Sequence, residues 1–494
     1  MMIPSRISAA CGLVLLLAGT MARPACAAPR TNVLFIVVDD LNTELGCYGN
    51  RVVKSPNLDR LAARGVRFEH AYCQYSLCAP SRASFLSGRR PETTGIYAAK
   101  ITPRKAMPDA VMLPQLFRQA GYFSFGAGKV FHTAKHSDPD SWDVYRDSDG
   151  ADAQEKAALT SRYGGEDRVP RWYVLDGDGS KTRDGLNARS VANQLAEHAK
   201  SAKPFFLAMG FHKPHLPWTA PKRFFDLYPP ASLPLPKSPA MNKVPEIALQ
   251  TELSRSDQPE SRAGAVAAYY ACISFMDDNL GLLLETLDRH RLWDNTVVVL
   301  LGDNGYHLGD HGGLWCKHTL FENATHVPLI FAGAGVPRGQ VVTRPVELLD
   351  VYPTLVELAG LKAPPGLEGR SLAPAMKSEA LASDAHAFSM IYHYEVATDT
   401  DVVGRSVRTA SYRYSQWANA GHDRELYLAD NEPYEYDNQI DAPAAQAKLA
   451  DGEQRLLELK MPKPGPVTRS RALGKQTDQP QAGTSEKNRS ASHP

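Results

Sequence analysis

"NVLFIVVDD", residues 32–40, sets the fold: six consecutive apolar residues, four of them β-branched, run into two aspartates. A run with no polar alternation reads as a strand buried on both faces, and such strands belong to parallel sheets covered by helices. The same design recurs downstream. "SPNLDRLAARG" (55–65) and "LPQLFRQAG" (113–121) read as helices that start near Pro and stop at Gly. "YFSFGAGKVFH", "PFFLAMGFH", "NTVVVLLGDNG" and "HVPLIFAGAG" read as strands; residues 186–202, 264–290 and 350–360 read as helices. This alternation predicts an α/β fold, a large mostly parallel sheet sandwiched by helices. Ligands of open α/β sheets gather at the carboxyl ends of the strands. Asp39-Asp40, His212 and His215, and Asp303-Asn304 each follow such a run, which puts them on one rim.

The chain has 494 residues, 43% of them hydrophobic and 22% charged, enough for a large core and a smaller companion. A formal net charge of +1 gives no global pull toward nucleic acid or membranes, so affinity for anions must be local. Residues 1–28 read as a signal peptide: Arg6, the apolar "GLVLLLAG", then the small residues "ACAA". That apolar run is too short to span a bilayer, and no stable membrane insertion is expected. Residues 29–375 form the expected catalytic domain. From 376 to 465, "AHAFSMIYHY", "GRSVRTASYRYSQW" and "RELYLADNEPYEYDN" suggest a smaller antiparallel sheet subdomain. Residues 466–494 are polar and rich in Pro, Ser and Gly, the composition of a disordered tail.

The chemistry concentrates in "YSLCAPSRASFLSGRRP", residues 75–91, where Cys78 and Arg82 lie one turn apart at a helix start that welcomes an anion. A lone cysteine is ordinarily an inert, small buried hydrophobe. Yet removal of the signal leaves Cys47, Cys73, Cys78, Cys272 and Cys316, an odd number that flags one with its own chemistry. Cys47 and Cys73 are candidates for a disulfide, and Cys316 beside Lys317 reads as packing. The pairs Asp39-Asp40 and Asp303-Asn304 either cap helices and turns or hold a hard cation, and their all-oxygen set suits Ca²⁺. Taken singly, Lys129 and Lys317 read as solvated lysines, and His215 as a histidine in a Pro-rich turn.

Cys78–Arg82 matches C-x-P-S-R, the sulfatase signature. Seven blocks in the same order resemble the iduronate-2-sulfatase branch of that family: residues 33–50, 55–72, 78–97, 121–132, 211–218, 301–312 and 325–335. The resemblance implies a formylglycine-dependent sulfatase of the alkaline-phosphatase-like superfold. In that family an oxidising enzyme converts the signature cysteine, here Cys78, to formylglycine. One oxygen of its hydrate attacks sulfur, and the other then expels sulfate, splitting one hard displacement into two easier steps. The resemblance also implies that Asp39, Asp40, Asp303, Asn304 and an oxygen of converted Cys78 bind one Ca²⁺. Arg82 would orient residue 78, Lys129 neutralise sulfate charge, and His132 take the proton that releases sulfate. His215 and Lys317 would contact the ester and serve its leaving oxygen.

The expected activity is therefore that of an exported sulfuric ester hydrolase acting on sugar sulfates of glycosaminoglycan type, most specifically the 2-O-sulfate of iduronate or a related uronic acid. Its partners would be a sulfated saccharide and a sulfatase-maturing enzyme, with no nucleic acid. Its compartment would be periplasmic or secreted, or lysosomal in an animal. Animal iduronate-2-sulfatases carry Asp-His at the second metal pair, whereas this chain carries Asp303-Asn304, the pattern of sulfatases at large. Two alternatives stand beside this one: a phosphonate or phosphate monoester hydrolase on the same superfold, and a non-catalytic protein that binds sulfated glycans. His212, His307, His311, His318 and His326 are further candidates for shaping the pocket. The loops at 102–108 and 137–170 are candidates for substrate selection.

Overall fold

The computed structural model describes residues 30–459 except 100, 134–136, 164–170, 250–260, 378–383, 396–399, 419–422 and 430–433. The expected signal peptide and tail lie outside the described residues. Asn32–Val38 forms a strand, β1, and all seven of its residues are buried. The pleat sends alternate side chains to opposite faces. Val33, Phe35 and Val37 enter one apolar layer, and Leu34, Ile36 and Val38 enter another.

Among the described residues, ten further strands follow before residue 350. They are β2 (Gly65–Tyr72), β3 (Phe123–Gly128), β4 (Val144–Arg146), β5 (Trp172–Leu175), β6 (Phe205–Phe211), β7 (Trp218–Pro221), β8 (Thr296–Gly302), β9 (His326–Gly333), β10 (Gln340–Val342) and β11 (Val346–Glu347). The main sheet has the order β10-β2-β9-β8-β1-β6-β3-β4, with β11 on β2, while β5 and β7 pair separately. Strand β1 lies parallel between β6 and β8, Val33 opposite Phe206 and Val297. Strand β9 runs antiparallel to both β8 and β2, so the sheet is mixed but mostly parallel.

Helices α1 (Pro56–Ala63), α2 (Cys78–Ser87), α3 (Leu113–Gln119), α4 (Arg183–His198), α5 (Arg262–Arg289) and α6 (Val351–Leu358) cover this sheet. Helices α1, α4 and α5 pack on the Leu34 face, and α2, α3 and α6 on the Phe35 face. The long α5 is apolar over most of its circumference because it is buried beneath its neighbours. Among the described residues no helix is long and apolar enough to cross a membrane.

Beyond residue 385 the described residues form an antiparallel sheet of four strands: β12 (His386–Glu395), β13 (Thr400–Thr409), β14 (Tyr412–Ala418) and β15 (Arg424–Leu428). The strand-like reading of 424–438 holds only as far as Leu428. A helix that the sequence pattern does not announce, α7 (Gln446–Glu458), follows. The candidate pairing of Cys47 with Cys73 is not formed: all five described cysteines are free. Cys73 Sγ instead donates to Ala324 O at 3.8 Å, and Cys47 N to Asp59 Oδ1 at 2.6 Å.

Asp277, inside α5, caps α1 by accepting from Asn57 N at 3.0 Å and Leu58 N at 2.8 Å. Burial pushes its carboxyl up to about 7. A folded-state value above the ordinary one means that this group stabilises the fold fully only below the ordinary carboxylate range, and that the contribution is lost as pH rises through 7. Between pH 4 and 8 the parent protein should lose about 4 kcal/mol more stability than Asp277→Asn, read by denaturant unfolding at each pH.

Candidate active site

Four parallel strands end on the same rim and hand their next residues to one place. After β1 come Asp39 and Asp40, after β8 Asp303 and Asn304, after β3 Lys129, and after β6 the turn with His212 and His215. Gly128 and Gly210 allow the β3 and β6 ends to close up, since a Cβ on Gly210 would overlap the Lys129 backbone. Asp40 takes a left-handed backbone, φ 61°, uncommon outside glycine and a local strain that the surrounding structure must hold in place.

Helix α2 comes in above this rim. Pro80 falls in its first turn, where a missing N–H costs nothing, and Gly88 ends it in the left-handed region. Cys78 is its first residue, at the positive end of the helix. The ligand atoms of Asp39, Asp40, Cys78 and His215 all lie within 4.8 Å of one another.

Arg82, one turn into α2 and 1% exposed, ties the rim together. Its Nε donates to Asp303 Oδ2 at 2.7 Å, and its other nitrogens to Val130 O at 3.1 Å, Asp39 Oδ1 at 3.4 Å and Lys129 O. Ser81 Oγ donates to Asp303 O at 2.5 Å, a contact from within the motif that the sequence alone does not single out. Asp303 Oδ1 accepts from Asp40 N at 3.0 Å and Asn304 N at 2.8 Å. Lys129 Nζ pairs with Asp39, and Lys317 Nζ with both oxygens of Asp40. His215 Nε2 stands 3.9 Å from Asp40 Oδ2, while its Nδ1 faces Leu216 O at 2.6 Å. His132 follows Lys129 in the turn that leaves β3 and is half-buried. Tyr269 lies in the apolar stretch that forms α5, yet it also serves the site: its hydroxyl donates to Asp40 O at 2.7 Å.

Three buried carboxylates thus face Arg82, Lys129 and Lys317. Burial pushes Asp303 up to about 7 against the pull of Arg82, and raises Asp40 against that of Lys317. Burial would raise Asp39 too, but Lys129, His215, Arg82 and Lys317 outweigh it and hold that carboxyl well below its usual range. The Cys78 thiol is pushed up to about 12, first by burial and then by Asp39. It is a thiol, not a thiolate, at neutral pH.

The donor set at the rim is all oxygen: Asp39, Asp40, Asp303 and Asn304. Asn304 Nδ2 donates to Asp40 Oδ1 and to Gly305 O, each at 2.9 Å. Its Oδ1 is buried and has no hydrogen-bond partner among the described residues. An orphaned carbonyl oxygen among carboxylates fits a ligand set for a hard cation rather than a helix cap.

The remaining candidates fall elsewhere. His307 and His311 both bond Asp310, within the loop between Asn304 and Lys317. His326, at the start of β9, turns its Nε2 to Glu69 O at 2.7 Å, and His318 Nε2 faces the Tyr75 hydroxyl at 3.4 Å. Cys316 packs against the apolar cluster formed with β12 and β13.

The family model "Sulfatase" matches residues 31–361, and "N-sulphoglucosamine sulphohydrolase, C-terminal" matches residues 309–462. A sulfatase of Formosa agariphila is 35% identical over 460 residues, covering 85% of each chain. The human iduronate 2-sulfatase is 30% identical over 82% of this chain and 90% of its own length. Among solved structures, a phosphonate monoester hydrolase from Silicibacter pomeroyi superposes with a TM-score of 0.71 over 87% of this chain and 95% of its own. At 23% identity that likeness concerns the fold, an alkaline-phosphatase-like one with a small antiparallel C-terminal sheet. By its motif, its rim and these matches, the chain belongs to the sulfatase family and is a sulfuric ester hydrolase.

Proposed function

We propose that the protein is exported and hydrolyses sulfate esters of glycosaminoglycan-type sugars, the 2-O-sulfate of iduronate or a related uronic acid first among them. The observation that carries this reading is the junction of Cys78 with Asp39, Asp40 and His215, beside the orphaned oxygen of Asn304. The human relative's name supports the choice of sugar and position. Asn304, where the animal branch carries histidine, widens that choice to other uronic acids. The signal at 1–28 supports export.

Formylglycine in place of Cys78, installed by a sulfatase-maturing enzyme, would supply an oxygen nucleophile where the thiol is too weakly acidic to act. Ca²⁺ would be held by Asp39, Asp40, Asp303 and Asn304, and when bound supplies positive charge against the ester's repelling oxygens. Arg82, fixed by Asp303 and by the Val130 carbonyl, holds residue 78 in line. Lys129 and Lys317 carry positive charge to the sulfate from either side of the aspartate pair. His132 accepts the proton lost from residue 78 as sulfate leaves. His215 presents Nε2 to the site, because its Nδ1–H is engaged by the Leu216 carbonyl, and with Lys317 it serves the leaving oxygen.

Defined sulfated mono- and disaccharides should be turned over by protein whose residue 78 is shown by mass spectrometry to be converted. A 2-sulfated uronic acid at a chain end is the expected best substrate. Aryl phosphonate or phosphate esters turned over in the absence of any sulfate ester would overturn the reading in favour of a phosphorus-ester hydrolase. An intact thiol at position 78 in protein from its native source would favour a glycan-binding role.

A further inference from the structure

We infer that Lys213 and Asp184 are positioning residues that clamp the turn carrying His215, so that its Nε2 faces the scissile ester. This rests on the role proposed above for His215.

The turn from His212 to Pro217 contains Pro214 and Pro217, which contribute no backbone N–H, so it is short of donors to brace itself. Lys213 supplies the missing ones from its side chain. The residue is 3% exposed, and its Nζ folds back along the turn to donate to Pro217 O at 2.6 Å and His215 O at 3.3 Å. The entry to the turn is held from the other side by Asp184, 1% exposed in the first turn of α4. Its carboxylate accepts from Lys213 N at 2.9 Å and His212 N at 2.9 Å, and bonds His212 Nδ1 at 3.1 Å. His215 N then bonds His212 O at 2.9 Å. The backbone on either side of His215 is thereby tied to two buried charged side chains.

Burying a lysine costs free energy unless its charge and its N–H donors are met by partners. Here the amine donates to carbonyls of the turn itself, one of them that of His215. An apolar residue could fill the same volume but could not hold those carbonyls. What the amine adds is the setting of the imidazole: Nδ1 toward Leu216 O and Nε2 toward Asp40 and the site.

A group that delivers a proton to a departing oxygen matters most when that oxygen leaves poorly. The test is a series of aryl sulfates, from 4-nitrophenyl to phenyl sulfate, assayed with converted parent protein and with His215→Ala, Lys213→Met and Asp184→Asn. In Lys213→Met, kcat/KM should depend more steeply on the leaving group than in the parent. Phenyl sulfate should lose about 100-fold more than 4-nitrophenyl sulfate, with KM nearly constant. Asp184→Asn keeps an acceptor for the two backbone N–H groups and should steepen the dependence less; it carries the test should Lys213→Met fail to fold. Equal losses on every ester, or no loss, would overturn the clamp while leaving the sulfatase reading intact. No steepening in His215→Ala would overturn the role of His215 itself, a distinguishable outcome.

Discussion

Cys78→Ala should fold as the parent does and hydrolyse sulfate esters about a millionfold more slowly, the scale seen when a nucleophile is removed from a site whose other parts remain. The side chain is small and 2% exposed, so its truncation costs about 1 kcal/mol of stability and leaves the rim in place. Protein in which Cys78 has escaped conversion should be equally inactive. Its thiol is pushed up to about 12 by burial and by Asp39, which leaves almost no thiolate at neutral pH. The two inactive forms are told apart from the active one by the mass of the peptide spanning residue 78, and turnover should scale with the converted fraction. A protein with an intact cysteine and full turnover would rule out the oxygen nucleophile, and with it the proposed division of labour among Arg82, Lys129 and His132.

Much of this is legible in the chain because β1, β6 and β8 are buried on both faces. Such strands must be apolar throughout and cannot hide in a polar alternation. Each ends abruptly where the sheet meets the rim, and there the polar residues begin: Asp39, His212 and Asp303. Strand β2 is harder to see. Its Val66, Phe68 and Ala71 are buried, but Arg67, Glu69 and His70 interleave with them, and a bulge between Phe68 and Ala71 breaks the period. The reversal of β9 is hidden for a different reason: direction in a sheet is decided by the partner strand, not by the residues of the strand itself. Helix α7 buries little more than Leu449 and Gly452, so it carries a weak apolar stripe at the end of a polar stretch. At the site, the motif residues stand out by type and spacing. Tyr269, Lys213 and Asp184 do not, because they act through hydrogen bonds that their own local sequence does not mark.

Asp303→Asn should make the protein indifferent to divalent cations. In the parent, Ca²⁺ at a hundredfold excess over its dissociation constant should raise stability by about 2.7 kcal/mol, and a chelator should take that away. In the variant, the carboxamide at position 303 can still accept from the Asp40 and Asn304 amides with its one oxygen. Its nitrogen, however, becomes a donor facing Arg82 Nε, which in the parent lies 2.7 Å from a carboxylate oxygen. Two effects oppose each other. Burial pushes the Asp303 carboxyl up to about 7, so a neutral side chain there relieves a desolvation penalty. Against that, Arg82, 1% exposed, loses its closest charged partner and keeps only Asp39 at 3.4 Å. Breaking a buried pair from one side costs about 3–5 kcal/mol, so the second effect wins and the metal-free variant is the less stable protein. Denaturant unfolding of both proteins, with Ca²⁺ and with chelator, measures all four states. A parent whose midpoint ignores Ca²⁺ and every other divalent cation would show that the three carboxylates serve only Arg82, Lys129 and Lys317, and that the orphaned oxygen of Asn304 marks no cation site.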